Sequence, residues 1–166
     1  MSYSIRLLKK SDCALIGPFL REVWLDAYHG IQTDDELLTQ SHKVHKPELV
    51  EKEIDDLNIY SVVVEVGGKI VGHARSDRED GVIYISRLYV LRDYYGTGMG
   101  KALLAEVDSY FKDDREIWLD VFEDNKRALH FYLSQGYEIM ERATEVQTEG
   151  EDVFEFKMRK ISTRKT

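Results

Sequence analysis

Cysteine is almost missing from the sequence, since Cys13 is the only one among 166 residues. An internal disulfide is therefore excluded, and a chain of this length can instead bury enough apolar surface to be stable without one. Apolar runs of membrane-spanning length are also missing, and the first ten residues lack the hydrophobic core of a signal peptide. We therefore expect a cytoplasmic protein that does not associate with membranes.

Basic residues are in the minority, with 23 Lys and Arg against 31 Asp and Glu and a formal net charge of −8. Such a surface repels nucleic acid and attracts cations, so we expect no nucleic-acid partner and a bias towards basic amines. Solubility alone would also account for this charge. His42 and His45 lack the cysteines or carboxylates that accompany a metal pair, so no metal site is predicted.

Proline is rare as well, and neither internal repeats nor low-complexity segments interrupt the chain. We therefore predict one domain over residues 1–160 and a frayed tail over residues 161–166. Pro18 is expected to interrupt or restart the first helix, and Pro47 to begin another. Apolar alternation predicts a hairpin over 60–74 and a terminal hairpin of strands 137–142 and 152–158, the latter turning at Thr148, Glu149 and Gly150.

The stretch over residues 82–111 is the most informative part of the sequence. Residues 82–90 are apolar in both registers, as in a strand covered on both sides, with one face predicted to carry Val82, Tyr84, Leu88 and Val90 and the other Ile83, Ile85 and Tyr89. Three alternating glycines then precede a helical apolar pattern: Gly96, Gly98 and Gly100. A helix that begins on glycines can bind a pyrophosphate through bare N–H groups and its dipole.

The glycine spacing excludes two familiar phosphate-binding loops. Lys101 is followed by Ala102, where a P-loop has the Ser or Thr that holds magnesium. The alternating glycines do not follow the dinucleotide pattern G-x-G-x-x-G, and no parallel βαβ repeat surrounds them. Taken alone, the glycines would also suit a flexible turn before an ordinary helix.

Two wider motifs resemble those of the GNAT superfamily of N-acetyltransferases. The acetyl-CoA signature Q/R-x-x-G-x-G/A falls on residues 95–100, although Tyr95 stands where the family has Gln or Arg. Downstream, the family segment N-x-x-A-x-x-x-Y-x-x-x-G-F/Y is matched by Asn125, Ala128, Tyr132, Gly136 and Tyr137. The spacing around residues 118–132 also looks like that of bacterial polyamine acetyltransferases.

The resemblance implies an α+β fold, with a mixed, mostly antiparallel sheet of about six to seven strands flanked by about four helices. It also implies acetyl-CoA as cofactor, held where the central strand and the strand over 117–122 diverge near Val90. The residues implied to bind the cofactor are Leu88, Tyr89, Val90, Tyr95, Gly96, Thr97, Gly98, Met99, Gly100, Lys101, Asn125, Ala128 and Tyr132.

The resemblance also assigns catalytic roles. Tyr132 occupies the family's general-acid position and would protonate the departing sulfur. The usual basic Glu of the central strand is missing, because Tyr84 and Ser86 stand there. Asp120 is the first substitute, since a carboxylate inside an apolar strand must be paired or face a cleft. Glu123 and His73 are further candidates, and a water chain without a single base is an alternative.

The predicted reaction is acetyl transfer to a primary amine by direct attack through a tetrahedral intermediate. The acceptor is expected to be a polyamine or another small cationic amine, contacted by Trp24, Tyr28, His29 and Tyr84. The first alternative is a protein acetyltransferase acting on an N-terminus or a lysine. The second is a non-catalytic, regulatory acetyl-CoA-binding module, and the chain could be a homodimer, as many similar proteins are.

Overall fold

A seven-stranded sheet forms the centre of the molecule, in the order β1-β2-β3-β4-β5-β7-β6. The computed structural model describes residues 1–111, 116–145 and 152–162. The strands are β1 (Ser4–Leu7), β2 (Ile59–Val66), β3 (Lys69–Glu79), β4 (Val82–Val90), β5 (Glu116–Phe122), β6 (Glu138–Glu145) and β7 (Val153–Ile161). Every pair is antiparallel except β4 with β5, so the predicted α+β class and strand number are confirmed.

Five α-helices lie in the described part of the chain, where the resemblance implied about four. They are α1 (Cys13–Tyr28), α2 (Asp34–Val44), α3 (Pro47–Asp55), α4 (Met99–Tyr110) and α5 (Lys126–Ser134). The start of α2 carries a capping box, in which Thr33 and Glu36 each bond to the other's backbone N–H. Pro47 begins α3, as predicted.

The first helix does not break at Pro18, so the predicted interruption is wrong. Pro18 lies early in α1, where its missing N–H removes a single hydrogen bond to the carbonyl of residue 14. The burial of an apolar stripe outweighs that loss, because Ile16 and Leu20 are both fully buried in the core. The continuous helix places Tyr28 at its last position, beside β4 and β5.

Helices cover both faces of the sheet. On one face, the Tyr60 ring of β2 stacks on Tyr110 at the end of α4, with 3.8 Å between ring centroids. On the other face, the Trp24 indole of α1 donates a hydrogen bond to the Tyr89 hydroxyl of β4. The core therefore lies on both sides of β2, β3 and β4, and α1 and α4 are on opposite faces.

A β-bulge in β4 changes which side chains share a face. Arg75 of β3 pairs with Arg87 and the next residue pairs with Ile85, so Ser86 is left without a cross-strand partner. Tyr84, Arg87 and Tyr89 consequently share one face, and Ile83, Ile85, Leu88 and Val90 share the other. The predicted faces were wrong downstream of residue 86, because strict alternation does not allow for an extra residue.

The parallel strands β4 and β5 separate early. Only Val82–Tyr84 of β4 pairs with residues 116–118 of β5, so the strands part after Tyr84 and not near Val90 as expected. Beyond that point β5 pairs with β7 on its other side. The gap between β4 and β5 is where backbone groups remain available for a ligand.

The terminal hairpin forms as predicted, with β7 inserted between β5 and β6. Its expected turn at Thr148, Glu149 and Gly150 lies outside the described residues. Residue 161 ends β7 and the Ser162 hydroxyl donates to Asp108, so the tail is not frayed at those two positions. Within the described residues, no helix is both long and apolar enough to cross a membrane.

Candidate active site

A cleft of about 440 Å³ opens where β4 and β5 part. Its lining includes the glycine loop and the first turns of α4 and α5 at one end, and side chains of β5 and β7 with Tyr28 of α1 at the other. Of the predicted site residues, those that line it are Tyr28, Leu88, Tyr89, Val90, Tyr95, Gly96, Gly98, Met99, Gly100, Lys101, Asp120, Asn125, Ala128 and Tyr132. Trp24, His29, Tyr84 and Thr97 do not line it.

The glycine loop has the shape that an anion site requires. Gly96 and Gly98 have positive φ angles of 75° and 85°, and α4 begins at the next residue, Met99. The Thr97 hydroxyl donates to the carbonyl of residue 94 over 2.6 Å, which holds the loop closed. The first N–H groups of α4 have no helical partner and stand at the positive end of the helix dipole. The loop therefore fits a pyrophosphate.

Gly100 lets α4 and α5 approach closely beside the cleft. A Cβ atom at this position would lie 3.3 Å from Cζ of Phe131 on α5, which is tighter than ordinary van der Waals contact. The α5 helix begins beside the loop because the Asn125 side chain accepts from the N–H of Ala128. Glycine at residue 100 thus allows Phe131 of α5 to pack closely against the first turn of α4.

The free edge of β4 directs backbone groups into the cleft. The N–H of Leu91 donates to the Val71 carbonyl of β3, so residues of the same parity in β4 face β3. Leu88 and Val90 have the opposite parity and therefore direct their N–H and C=O groups towards the gap. These are backbone groups of two residues that the resemblance implied to bind the cofactor.

Tyr132 is held in the cleft wall by other aromatic rings. Its side chain is only 8% exposed, and its ring contacts those of Phe131 and Tyr137 edge-on. Burial raises the pKa of Tyr132 well above the ordinary value, because a phenolate would lose its hydration there. The residue is consequently a neutral O–H donor over the whole physiological pH range.

Asp120 both faces the cleft and is paired with another side chain, the two alternatives expected for a carboxylate in an apolar strand. Its side chain is exposed at the cleft, and its carboxylate accepts a short hydrogen bond from the Tyr84 hydroxyl. Burial and that bond raise the pKa of Tyr84, so the phenol keeps its proton and continues to donate. Tyr84 thus reaches the site through Asp120.

Three aromatic side chains connect α1 with β4 through hydrogen bonds. Trp24 donates from its indole nitrogen to the Tyr89 hydroxyl over 3.0 Å, and the hydroxyls of Tyr89 and Tyr28 lie 2.9 Å apart. The Tyr28 ring meets Phe122 of β5 edge-on, with 5.2 Å between centroids. Tyr28 is therefore fixed beside β5, and Trp24 acts on the site through Tyr89 and through its own edge-on contact with Tyr28.

Three sequence candidates lie away from the cleft. His29 is exposed beside Asp34, 3.6 Å away, and does not contact the site. His73 is fully buried in β3 with Nδ1 bonded to the Val62 carbonyl, and burial lowers its pKa to about 3. Glu123 is ion-paired with Arg142 at 2.7 Å. None of the three faces the cleft, so neither His73 nor Glu123 is placed to act as the base.

Sequence reasoning missed three charged residues of the cleft, Arg87, Arg127 and Glu155. Glu155 lies on β7 directly opposite Phe122, so it shares a face with Asp120. Only the register of β5 with β7 could reveal this. Arg127 lies two residues after Asn125, inside the second motif, where its charge was a usable signal.

Tyr95 links three elements at the opposite end of the cleft. Its hydroxyl donates to Asp26 of α1 over 2.7 Å and accepts from Nη2 of Arg127 over 2.9 Å. Burial, together with the bond to Asp26, raises the pKa of Tyr95 to about 12. The residue that departs from the family motif is therefore a fixed, neutral connector between α1, the glycine loop and α5.

Comparison with known proteins gives consistent matches. Residues 20–137 match the model of the acetyltransferase (GNAT) family. An uncharacterized N-acetyltransferase of Mycobacterium tuberculosis is 39% identical over 75 residues, which are 43% of this chain and 48% of that protein, so the match spans about half its length.

Solved structures agree on the fold. PaiA N-acetyltransferase from Thermoplasma acidophilum, determined with coenzyme A, has a TM-score of 0.86 at 24% identity, over 98% of this chain and 100% of that one. A ribosomal-protein-alanine N-acetyltransferase from Brucella melitensis has a TM-score of 0.73 at 24% identity, over 96% and 99%. The chain therefore belongs to the acetyltransferase (GNAT) family, whose members use acetyl-CoA.

Proposed function

We propose that this chain acetylates a small cationic primary amine, and that the amine is a polyamine. The observation that carries the proposal is the pair of carboxylates at the acceptor end of the cleft, Asp120 and Glu155. They lie on neighbouring strands and the same face, within a protein of net charge −8. Two carboxylates at the entrance attract an ammonium group and also offer a place for a second one.

The glycine-loop end would hold the cofactor. Acetyl-CoA supplies an acetyl thioester, whose carbonyl carbon is open to attack by an amine. The N–H groups at the start of α4 would bind its pyrophosphate, and the free backbone groups of Leu88 and Val90 would bind its extended arm. Asn125 and Ala128 would line the opposite side.

Tyr132 would act as the general acid in this scheme. Its raised pKa keeps the phenol protonated, so a proton is available for the leaving sulfur at neutral pH. The edge-on contacts with Phe131 and Tyr137 hold the ring in one orientation. A positioned acid of this kind contributes about 10²–10⁴-fold to a rate.

Asp120 would take the proton of the incoming ammonium, directly or through a water molecule. Its exposure gives that proton a path to solvent, and the Tyr84 hydroxyl fixes the carboxylate. Since an indole N–H can only donate, the Tyr89 hydroxyl accepts from Trp24 and can donate its own hydrogen bond to the Tyr28 hydroxyl. Tyr28 would then present its O–H to the acceptor.

The experiment that tests the proposal is thiol release from acetyl-CoA with a panel of amines. We expect turnover with spermidine and spermine to exceed that with small monoamines and with peptides bearing free N-termini. Turnover confined to peptides would overturn the acceptor and favour a protein acetyltransferase. No turnover across the panel, despite cofactor binding, would favour the regulatory alternative.

The role of Asp120 has its own test. Asp120→Asn keeps the size and the bond to Tyr84 but removes the base, so kcat/KM for spermidine should fall by at least about tenfold at pH 7. The loss should be smaller at higher pH, where more of the amine is already neutral. Glu141→Gln on β6 is the matched control, since that exposed carboxylate does not line the cleft. Equal activity of the two variants would remove Asp120 from the mechanism.

A further inference from the structure

Arg127 is held at the cleft by contacts that leave its charge uncompensated. Its guanidinium carbon lies 3.9 Å from the centroid of the Tyr95 ring, and Nη2 donates to the Tyr95 hydroxyl. That hydroxyl is in turn fixed by the Asp26 carboxylate. Among the described residues Arg127 forms no ion pair, although acidic residues outnumber basic ones in this chain.

Arg142 also packs over an aromatic ring, but its charge is paired with a carboxylate. Its guanidinium carbon lies 3.6 Å from the centroid of the Phe154 ring, and Nη2 is 2.7 Å from the Glu123 carboxylate. Arg142 does not line the cleft. The difference between the two arginines is that Arg127 lacks the anion, and it stands where the glycine loop and α5 face each other.

We propose that Arg127 is a phosphate-binding residue of the cofactor site, with Tyr95 as the platform that positions it. A guanidinium that packs over a ring and donates from Nη2 to the ring's hydroxyl keeps its other N–H groups for a phosphate, which such a group can bind through two parallel hydrogen bonds. The bond from Tyr95 to Asp26 restrains the platform, so less entropy is lost on binding. The Gln or Arg of the family motif is thus replaced by a tyrosine that supports an arginine from α5.

The proposal concerns acetyl-CoA alone and is independent of the acceptor, so we test it by binding without any amine. Isothermal titration calorimetry would compare wild type, Arg127→Gln, Arg127→Lys and Arg142→Gln with acetyl-CoA, acetyl-dephospho-CoA and acetylpantetheine. Arg127→Gln should weaken acetyl-CoA binding roughly tenfold, the size of one charge-assisted contact. Arg127→Lys should recover part of that loss, and Arg142→Gln should bind as wild type.

The ligand series identifies which phosphate is bound. A loss that persists with acetyl-dephospho-CoA assigns Arg127 to the pyrophosphate, and a loss that disappears assigns it to the 3′-phosphate. Unchanged affinity of Arg127→Gln for acetyl-CoA would overturn the proposal. The same loss with acetylpantetheine, which carries no phosphate, would also overturn it and show a purely structural role. If no amine were acetylated, the proposed function would fail, but these measured affinities for the cofactor would still test the role of Arg127.

Discussion

The two ends of the cleft are built in different ways. The cofactor end is made largely of backbone, from the loop around Gly96 and Gly98, the first turn of α4 and the free edge of β4. The end that we propose for the acceptor is made of side chains from distant segments, namely Tyr28 of α1, Asp120 of β5 and Glu155 of β7. Backbone sites depend on local conformation, whereas side-chain sites depend on how strands pair and helices pack.

This difference explains how each end can vary. A site made of N–H groups tolerates many side chains provided that the backbone conformation is kept. A site made of three side chains changes its ligand with one substitution. The cofactor end is therefore suited to one unchanging ligand, and the acceptor end to a ligand that differs from one member of the family to another.

The largest effect should come from Tyr132→Phe, which lies between the two ends. Loss of the proton donor should lower kcat by about 100-fold or more, while the affinity for acetyl-CoA stays near that of wild type. Thiol-release assays measure kcat, and calorimetry measures the affinity for acetyl-CoA. If cofactor affinity fell as much as kcat, Tyr132 would belong to the binding end.

Two further measurements sharpen this test. Tyr137→Phe is the control, since Tyr137 is also buried and its ring contacts that of Tyr132; its kcat should change little. Because burial raises the pKa of Tyr132, the neutral acid persists as pH rises, and kcat should show no alkaline fall below about pH 10. An alkaline fall that begins below that pH and vanishes in Tyr132→Phe would contradict the buried, neutral phenol.

An intermediate effect is expected from Gly98→Ala. Residue 98 has a φ of 85°, and a Cβ there would meet nothing within 4 Å, so the penalty is backbone strain of about 1–2 kcal/mol. Gly68→Ala in the β2–β3 turn is the matched control, with a φ of 83° and the same open space. Both should lose similar stability in urea, but only Gly98→Ala should bind acetyl-CoA more weakly. Equal cofactor affinities would contradict a backbone-made site.

The smallest effect at neutral pH concerns His73 of β3, which should make the stability of the sheet depend on pH. Burial holds the pKa of His73 at about 3, against an ordinary value of 6.5. The unfolded chain therefore binds a proton at His73 that the folded chain does not bind. The free energy of unfolding consequently falls as the pH drops below about 6.5. His73 should contribute about 1.4 kcal/mol of lost stability per pH unit between roughly pH 6 and pH 4.

Urea denaturation of wild type and His73→Leu at pH 7, 6, 5 and 4 would measure that slope. The variant should be less sensitive to acid than wild type, whatever its stability at pH 7. Parallel curves for wild type and His73→Leu would show that residue 73 takes up its proton in the folded state.

The sequence anticipated the cofactor end much better than the acceptor end. The loop over residues 95–100 is a contiguous segment whose glycines dictate its conformation, so its position was predictable. The acceptor end depends on β7 lying beside β5, and no local pattern could show that Glu155 stands opposite Phe122. His29 was expected to contact substrate together with Trp24 and Tyr28, but α1 ends at Tyr28 and His29 is exposed outside the cleft.

Errors in the fold prediction have similar causes. The continuous α1 through Pro18 shows packing of Ile16 and Leu20 overriding a local breaking signal. The early parting of β4 and β5 could not be predicted, because the resemblance gives the existence of a gap and not the residue at which it begins. Pairing partners set that residue, and they lie more than thirty positions apart in the chain.

The unpaired Ser86 gives β4 a property that a regular strand lacks. Upstream of it, even-numbered residues such as Tyr84 face α1, and downstream of it odd-numbered residues such as Arg87 and Tyr89 do so. An insertion or deletion of one residue here would exchange the side chains on the two faces of β4 over half of the strand in a single mutational event. Related chains that gain or lose this residue would consequently present different β4 side chains to α1 in one step, without gradual substitution of individual side chains.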